Sequence, residues 1–156
     1  MCWIGNKCDK RIADKDITVY KVLQKSKAKI PGEFLYRAPF RTEFRYVIGG
    51  KYSKAIKEKI IDNNLITIES GLHCFEQYAY VICNDYKTIY VSMSFDDDRW
   101  SFEATKSGYT PVIVKCIIPK GTIYYKNIHK EIVTEKLIIK EDLGTPIGFV
   151  GFLKDL

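Results

Sequence analysis

Histidine and paired cysteines are scarce in this sequence of 156 residues. It holds two histidines and five cysteines, and no two of the cysteines form a Cys-x-x-Cys pair. A structural zinc ion needs a full set of nitrogen or sulfur ligands at workable spacing, so we expect no metal site. An odd number of irregularly spaced cysteines also does not suit a disulfide framework, and it favours a reducing compartment.

Long apolar runs are missing as well. No segment approaches the roughly 18 apolar residues that span a bilayer. The first seven residues, MCWIGNK, do not contain the apolar core of a signal peptide. No glycine-rich phosphate loop or other cofactor motif is present in the sequence. We therefore predict a cytoplasmic protein with no cofactor and no membrane partner.

The composition is that of a folded chain. Hydrophobic residues make up 46% and charged residues 28% of the sequence, which is ordinary for a globular protein. The length suits a single domain, which we place over residues 1–156, with 1–14 as a leader and 144–156 as a tail at its periphery. The tail is apolar and rich in glycine. It either packs on the domain or docks a partner, which includes a second copy of the chain.

Strand signals dominate the chain. Two β-branched runs, 112–118 and 132–139, flank a Pro119-Lys120-Gly121 turn and predict paired strands. Similar runs at 17–23, 65–69 and 88–95 predict further strands.

Two segments favour helix instead. Ser53 can cap a short helix in which Ile56, Ile60 and Ile61 form one apolar stripe. Residues 71–83 begin as a turn and continue as a second helix, and the acidic stretch 96–108 is expected to be an exposed loop. The resulting prediction is an α+β fold: a single domain with a mostly antiparallel sheet and one or two short helices.

Positive charge is in excess, with a formal net charge of +6, which favours anionic partners such as nucleotides or an acidic protein surface. Between Tyr36 and Tyr46, aromatic residues at even positions alternate with arginines at odd positions. A strand would place the two series on opposite faces. Arginine forks match phosphate oxygens, so this pattern predicts a phosphate-binding face. The alternative is an edge strand whose arginines prevent aggregation.

Three residues elsewhere add to this prediction. The ammonium group of Lys120, beside a turn glycine, can bind phosphate, and His73 or Tyr125 can lie against a base. The triple aspartate at 96–98 is expected to be a solvated turn and not a cation site. The predicted ligand-binding residues are Arg37, Arg41, Arg45, His73, Lys120 and Tyr125.

Motifs over most of the chain resemble a family of small uncharacterised proteins from Bacteroidetes, their phages and mobile elements. These motifs are ADKDI at 13–17, VYKVL at 19–23, IGGKY at 48–52, GLHCF at 71–75, CIIPKGT at 116–122 and EIVTEKLII at 131–139. The resemblance implies no established activity. It implies a phage or mobile-element context, in which antagonism of host defence signalling is one role that such a binding protein can have.

The end of the chain also resembles that of ADP-ribosyltransferases. Many members of that family end with a strand, a Pro-Lys-Gly turn and an acidic strand. The resemblance implies Glu135 or Glu131 as the catalytic glutamate and NAD as the substrate. That family's early motif, Arg or His followed by Gly, would fall at Tyr20-Lys21, and its Ser-Thr-Ser element near residues 71–74. Neither motif is present.

These observations give three hypotheses. The leading one is a small cytoplasmic protein that binds an anionic, nucleotide-like ligand without catalysis, as an antagonist of host defence signalling would. The alternatives are an NAD-using transferase and a protein–protein interaction module that binds an acidic surface or forms a homo-oligomer.

Overall fold

A computed structural model describes residues 3–38, 44–76, 80–83, 88–92, 99–103, 110–128 and 131–144. Most of these residues are in β-strands, so the fold is rich in β-structure. Among the described residues, the helical part is a single 3-10 turn at Lys7–Asp9. These residues contain no helix that is long and apolar enough to cross a membrane.

The strands follow one another closely along the chain. They are β1 (Trp3–Asn6), β2 (Lys10–Ile12), β3 (Ile17–Lys27), β4 (Phe34–Arg37), β5 (Arg45–Tyr46), β6 (Lys51–Ser53), β7 (Lys57–Ile60), β8 (Leu65–Ser70), β9 (Leu72–Phe75), β10 (Tyr80–Cys83), β11 (Thr88–Ser92), β12 (Arg99–Glu103), β13 (Thr110–Ile118), β14 (Ile123–Lys126), β15 (Glu131–Thr134) and β16 (Lys136–Asp142).

The main sheet is organised around the long strand β3. The strand order of this sheet is β2-β14-β15-β9-β3-β13-β16-β6, and the hairpin β4–β5 is attached to β3 through β4. All of these pairings are antiparallel. The longest ladder joins β3 to β13, from Ile17 opposite Ile118 to Lys25 opposite Thr110.

One face of the main sheet carries the larger apolar core. Val19 and Leu23 of β3 lie there with the alternate residues of β13 and β16. The core side chains from these two strands are fully or almost fully buried: Val112, Val114, Cys116, Ile118, Leu137 and Ile139.

A second sheet, ordered β1-β8-β7, packs against the opposite face of the main sheet at β14 and β15. Trp3, Ile66 and Ile68 form a small core there with Tyr125 and Val133. A third sheet is formed by β10, β11 and β12.

A single residue, Gly71, links β8 of the second sheet to β9 of the main sheet. Its φ of 149° lies outside the range that L side chains normally adopt. A Cβ atom at Gly71 would lie 2.4 Å from Cγ1 of Val133. Only glycine fits this crossing, because both the backbone angle and the packing exclude a side chain.

The α+β prediction is wrong, since β-strands replace both predicted helices. The segment that begins at Ser53 contains the end of β6 and all of β7. Ile60 and Ile61 are 59% and 55% exposed, and only Ile56 packs against a core. The apolar stripe therefore does not exist, and pairing of β7 with β8 outweighs local helix propensity.

The second predicted helix, over residues 71–83, is also wrong. Its ends form β9, which is paired with β15, and β10, which is paired with β11. Residues 77–79 lie outside the described residues. A short strand that is buried on both faces reads as a continuous apolar run, which periodicity cannot distinguish from a buried helix.

Several of the predicted strands agree with the structure. Those at 17–23, 65–69 and 112–118 are confirmed as β3, β8 and β13. The run 132–139 is interrupted at Glu135, between β15 and β16, and it is β16 that pairs with β13.

Two expectations concern less regular parts of the chain. The predicted loop at 96–108 contains β12 at Arg99–Glu103. In the predicted leader, Trp3 is 3% exposed and belongs to the second core. The predicted tail lies outside the described residues from position 145 onward.

Candidate functional site

The hairpin β4–β5 separates arginines from aromatic residues, as the sequence pattern predicted. Tyr36 pairs with Tyr46 and Arg37 pairs with Arg45 across the two strands. Both tyrosines are buried in the main core, so the two arginines lie on the opposite face. The segment forms a hairpin and not one strand, and Arg41 lies outside the described residues.

Three side chains form a row across the arginine-bearing face, which we call the arginine row: Gln24 of β3, Arg37 of β4 and Arg45 of β5. Gln24 and Arg37 are 4% and 7% exposed, and Nε of Arg37 donates a hydrogen bond of 2.8 Å to Oε1 of Gln24. Arg45 is exposed.

Lysines from other segments lie against the aromatic face of the hairpin. Three lysine ammonium groups lie over aromatic rings: Lys25 is 4.1 Å from the ring centroid of Phe34, Lys21 is 5.4 Å from that of Tyr46, and Lys54 is 5.5 Å from that of Phe44. Such contacts are attractive because the face of an aromatic ring carries a partial negative charge. We call this surface the lysine–aromatic face; it comprises Lys21, Lys25, Phe34, Tyr36, Phe44, Tyr46, Tyr52 and Lys54.

Lys25 also belongs to a polar cluster. Its Nζ lies 2.6 Å from Oδ2 of Asp142, and the hydroxyl of Tyr36 donates a 2.8 Å hydrogen bond to the same oxygen. Burial alone would raise the pKa of Asp142, but hydrogen bonds from Lys25, the Gly144 backbone and Tyr36 outweigh it and lower that pKa. Burial, and then the hydrogen bond to Asp142, raises the pKa of Tyr36. At neutral pH Asp142 is therefore a carboxylate and Tyr36 a neutral phenol.

Lys21 lies deeper in the core. Its Nζ donates a 2.5 Å hydrogen bond to the backbone oxygen of His73. Burial raises the pKa of Cys116 to about 12 and raises that of Cys74 as well, while Lys21 lowers both by a smaller amount. Both groups stay protonated thiols, and thiols are poor nucleophiles. No metal-ligand cluster occurs among the residues that the structure describes.

The other described residues of the predicted ligand-binding set lie on other strands or turns. Tyr125 is 1% exposed in the core between the two sheets, where its ring packs edge-on against Trp3 and its hydroxyl donates to Glu58. His73 lies on β9, half-buried and opposite Val133.

Lys120 is remote along the strands. It is exposed in the turn after β13, at the end of the ladder where Ile118 lies opposite Ile17. The Gln24 end of β3 is about 23 Å away, at about 3.3 Å per residue. The structure therefore places Arg37 and Arg45 opposite each other, and it places the remaining described residues of the set on other strands or turns.

The two candidate glutamates are hydrogen-bonded to neighbouring parts of the fold. Glu135 lies between β15 and β16, where its carboxylate accepts a 3.5 Å hydrogen bond from the backbone of Ile56. Glu131 accepts one of 3.2 Å from the side chain of Asn127. Both belong to the β15 region, which β9 separates from β3.

Sequence reasoning missed the lysine–aromatic face. Its lysines come from β3 and from the segment after β6, and Asp142 is 117 positions from Lys25. The signal that the sequence offered was the aromatic series at even positions, which indicates the rings but not the lysines that lie over them.

Comparison with known proteins adds no relative: no family, curated protein or solved structure matches the chain. The two resemblances seen in the sequence therefore stay predictions.

Proposed function

We propose that this protein binds a small anionic, nucleotide-like ligand whose phosphate lies on the arginine row. The observation that carries the proposal is the cross-strand pair of Arg37 and Arg45. A guanidinium group presents parallel N–H donors that match two phosphate oxygens, and the paired strands β4 and β5 carry one such group each.

The two arginines have different roles in this proposal. Arg37 is held in place by Gln24, so little rotamer freedom is lost when the ligand binds. Arg45 is exposed and meets the ligand first. Arg41 continues the odd-numbered series on the segment between the two strands, and we keep it as a third candidate.

Binding without turnover is favoured over ADP-ribosyl transfer. Glu131 and Glu135 already accept hydrogen bonds within the fold, and β9 separates their region from β3. Sequestration of a signalling nucleotide is the form that such binding takes in an antagonist of host defence, and this is the biological role we propose.

Thermal unfolding against a ligand panel tests the proposal. The panel comprises ADP, ADP-ribose, NAD, cyclic di- and trinucleotides and short single-stranded nucleic acids. A ligand at 100 times its dissociation constant stabilises the folded state by about 2.7 kcal/mol, which raises the melting temperature measurably.

Matched arginine variants make the test specific. Arg45→Ala removes the exposed fork, Arg45→Lys keeps the charge without the fork, and Arg11→Ala removes an exposed arginine from β2 at the far edge of the sheet. We expect the ligand-induced shift to be lost in Arg45→Ala, reduced in Arg45→Lys and unchanged in Arg11→Ala. Equal shifts in all variants, or none in the wild type, would count against the proposal and favour an acidic protein partner.

A further inference from the structure

Phe44 and Lys54 form the accessible end of the lysine–aromatic face. Both side chains are half-buried, and the ammonium group of Lys54 lies 5.5 Å from the ring centroid of Phe44. In the part of the chain that the structure describes, no carboxylate pairs with Lys54. The pair therefore presents an aromatic ring and an uncompensated positive charge together.

This pair rests on a stack of further rings. The ring of Phe44 lies 5.1 Å from that of Tyr46, tilted by 39°, and Tyr46 meets Tyr52 edge-on at 4.8 Å. At the inner end, the ammonium of Lys21 lies 5.4 Å from the ring of Tyr46. Rings fixed in this way keep their orientation when a ligand arrives.

Backbone contacts hold the outer members in place. The backbone N–H of Lys54 donates to the Glu135 oxygen at 2.8 Å, and the Tyr52 hydroxyl accepts from the Val47 N–H at 2.6 Å. Tyr52 itself is on β6, which pairs with β16 of the main sheet. The platform is thus anchored to the sheet from two directions.

We infer that Phe44 and Lys54 bind the base of the ligand whose phosphate lies on the arginine row, so that the ligand class is a nucleotide with an aromatic base. Aromatic side chains stack on any base because every base has a π-face, and a cation beside the ring adds to the attraction. This inference rests on the proposed function and deepens it.

Because β5 lies at the edge of the sheet, one ligand can reach both the ring of Phe44 and the guanidinium group of Arg45. Phe44 and Arg45 are consecutive, so their Cα atoms are about 3.8 Å apart while their side chains point to opposite faces. Among the described residues, β5 pairs only with β4, and its other edge carries no strand. A nucleotide that lies along this edge places its base on one side and its phosphate on the other.

Two probes separate the base from the phosphate. ADP carries both, and inorganic pyrophosphate carries the phosphates alone. Phe44→Leu keeps an apolar side chain and removes the ring face, whereas Phe44→Trp keeps a ring. Ile12→Ala is the control, because Ile12 is an exposed apolar residue of β2 at the far edge of the main sheet.

Titration calorimetry gives the affinities. We expect Phe44→Leu to weaken ADP binding about tenfold, as loss of one base-stacking contact does, and to leave pyrophosphate binding unchanged. Phe44→Trp and Ile12→Ala should bind both probes like the wild type. Unchanged ADP affinity in Phe44→Leu overturns the inference, even where Arg45→Ala weakens both probes and so supports the proposed function. An equal loss for both probes in Phe44→Leu overturns it too, because the ring would then act on the fold and not on the base.

Discussion

Lys25 of β3 and Asp142 of β16 form an ion pair of 2.6 Å although β13 lies between their strands. The pair reaches across the neighbouring strand on the core face and joins β3 to the end of β16. Tyr36 of β4 donates to the same carboxylate oxygen, so three strands meet at one carboxylate. The cluster braces the part of the sheet that holds the β4–β5 hairpin.

Replacement of Asp142 should therefore destabilise the protein in a pH-dependent way. Asp142→Asn removes the negative charge from the side chain whose Oδ2 accepts hydrogen bonds from Lys25 and Tyr36. We expect a loss of about 2 kcal/mol in unfolding free energy at pH 7. The folded pKa of Asp142 is lowered below its ordinary value of 3.8. Its contribution is therefore complete above about pH 5, begins to fall near the ordinary pKa of 3.8 and is lost as pH falls through the folded pKa.

Urea denaturation from pH 7 to pH 3 measures this difference. The gap between wild type and Asp142→Asn should stay constant down to about pH 5 and narrow below about pH 4. Asp14→Asn, an exposed control, should behave like the wild type. A gap that does not change with pH would show that the carboxylate charge contributes nothing.

The described cysteines should differ sharply in reactivity. Cys8 is exposed, whereas Cys74 and Cys116 are buried and their pKa values are raised, so thiolate is scarce at both. At pH 8 we expect iodoacetamide to modify Cys8 in the native protein and to reach Cys74 and Cys116 only after unfolding. Peptide mass mapping reads this directly, and modification of Cys74 at the rate of Cys8 would contradict the buried assignment.

Among the described glycines with a positive φ, Gly71 should be the one whose replacement by alanine is most damaging. The left-handed φ and the contact with Val133 act together, and we expect a loss of about 3 kcal/mol in unfolding free energy. Gly121 has a φ of 86° but no atom within 4 Å of an added Cβ, so Gly121→Ala should cost only about 1 kcal/mol.

The double variant Gly71→Ala with Val133→Ala separates the two causes, since it relieves the clash and keeps the backbone strain. Denaturation should show that the double variant loses less unfolding free energy than the sum of the losses in the two single variants. Simple additivity of the two single losses would contradict the close packing at this crossing.

Tyr125 should matter for stability and not for binding. Tyr125→Phe keeps the ring against Trp3 and removes the hydroxyl that donates to Glu58, so we expect a loss of about 1 kcal/mol. Ligand affinity should stay that of the wild type, because β9 and β15 lie between its strand and β3. Weakened affinity in a variant that is otherwise stable would return Tyr125 to the binding site.

Local sequence predicted the strands whose signal is long enough to read. β3 and β13 are runs of β-branched and aromatic residues, and buried strands of that kind need no partner to be recognised. The segments around Ser53 and His73 were misassigned because β6, β7 and β9 have only three or four residues each. At that length the pairing partner decides the conformation, and the partners are remote, as with β9 and β15.

The candidate site was predicted only where it is local. Alternation along residues 36–46 was enough to place Arg37 and Arg45 on one face and the tyrosines on the other. The positions of Lys25 beside Asp142 and of Tyr125 beside Trp3 depend on contacts more than a hundred residues apart in the chain. No pattern within one segment encodes such contacts, so His73, Lys120 and Tyr125 were grouped with the arginines on chemistry alone.

The central claim is that the arginine row binds phosphate, and titration of inorganic pyrophosphate into the wild type, Arg45→Ala and Arg11→Ala tests it most directly. We expect saturable binding by the wild type and by Arg11→Ala, and an affinity at least about tenfold lower in Arg45→Ala, as loss of a charge-assisted hydrogen-bonding partner predicts. Absence of binding by the wild type, or equal affinities in all three proteins, would contradict the claim.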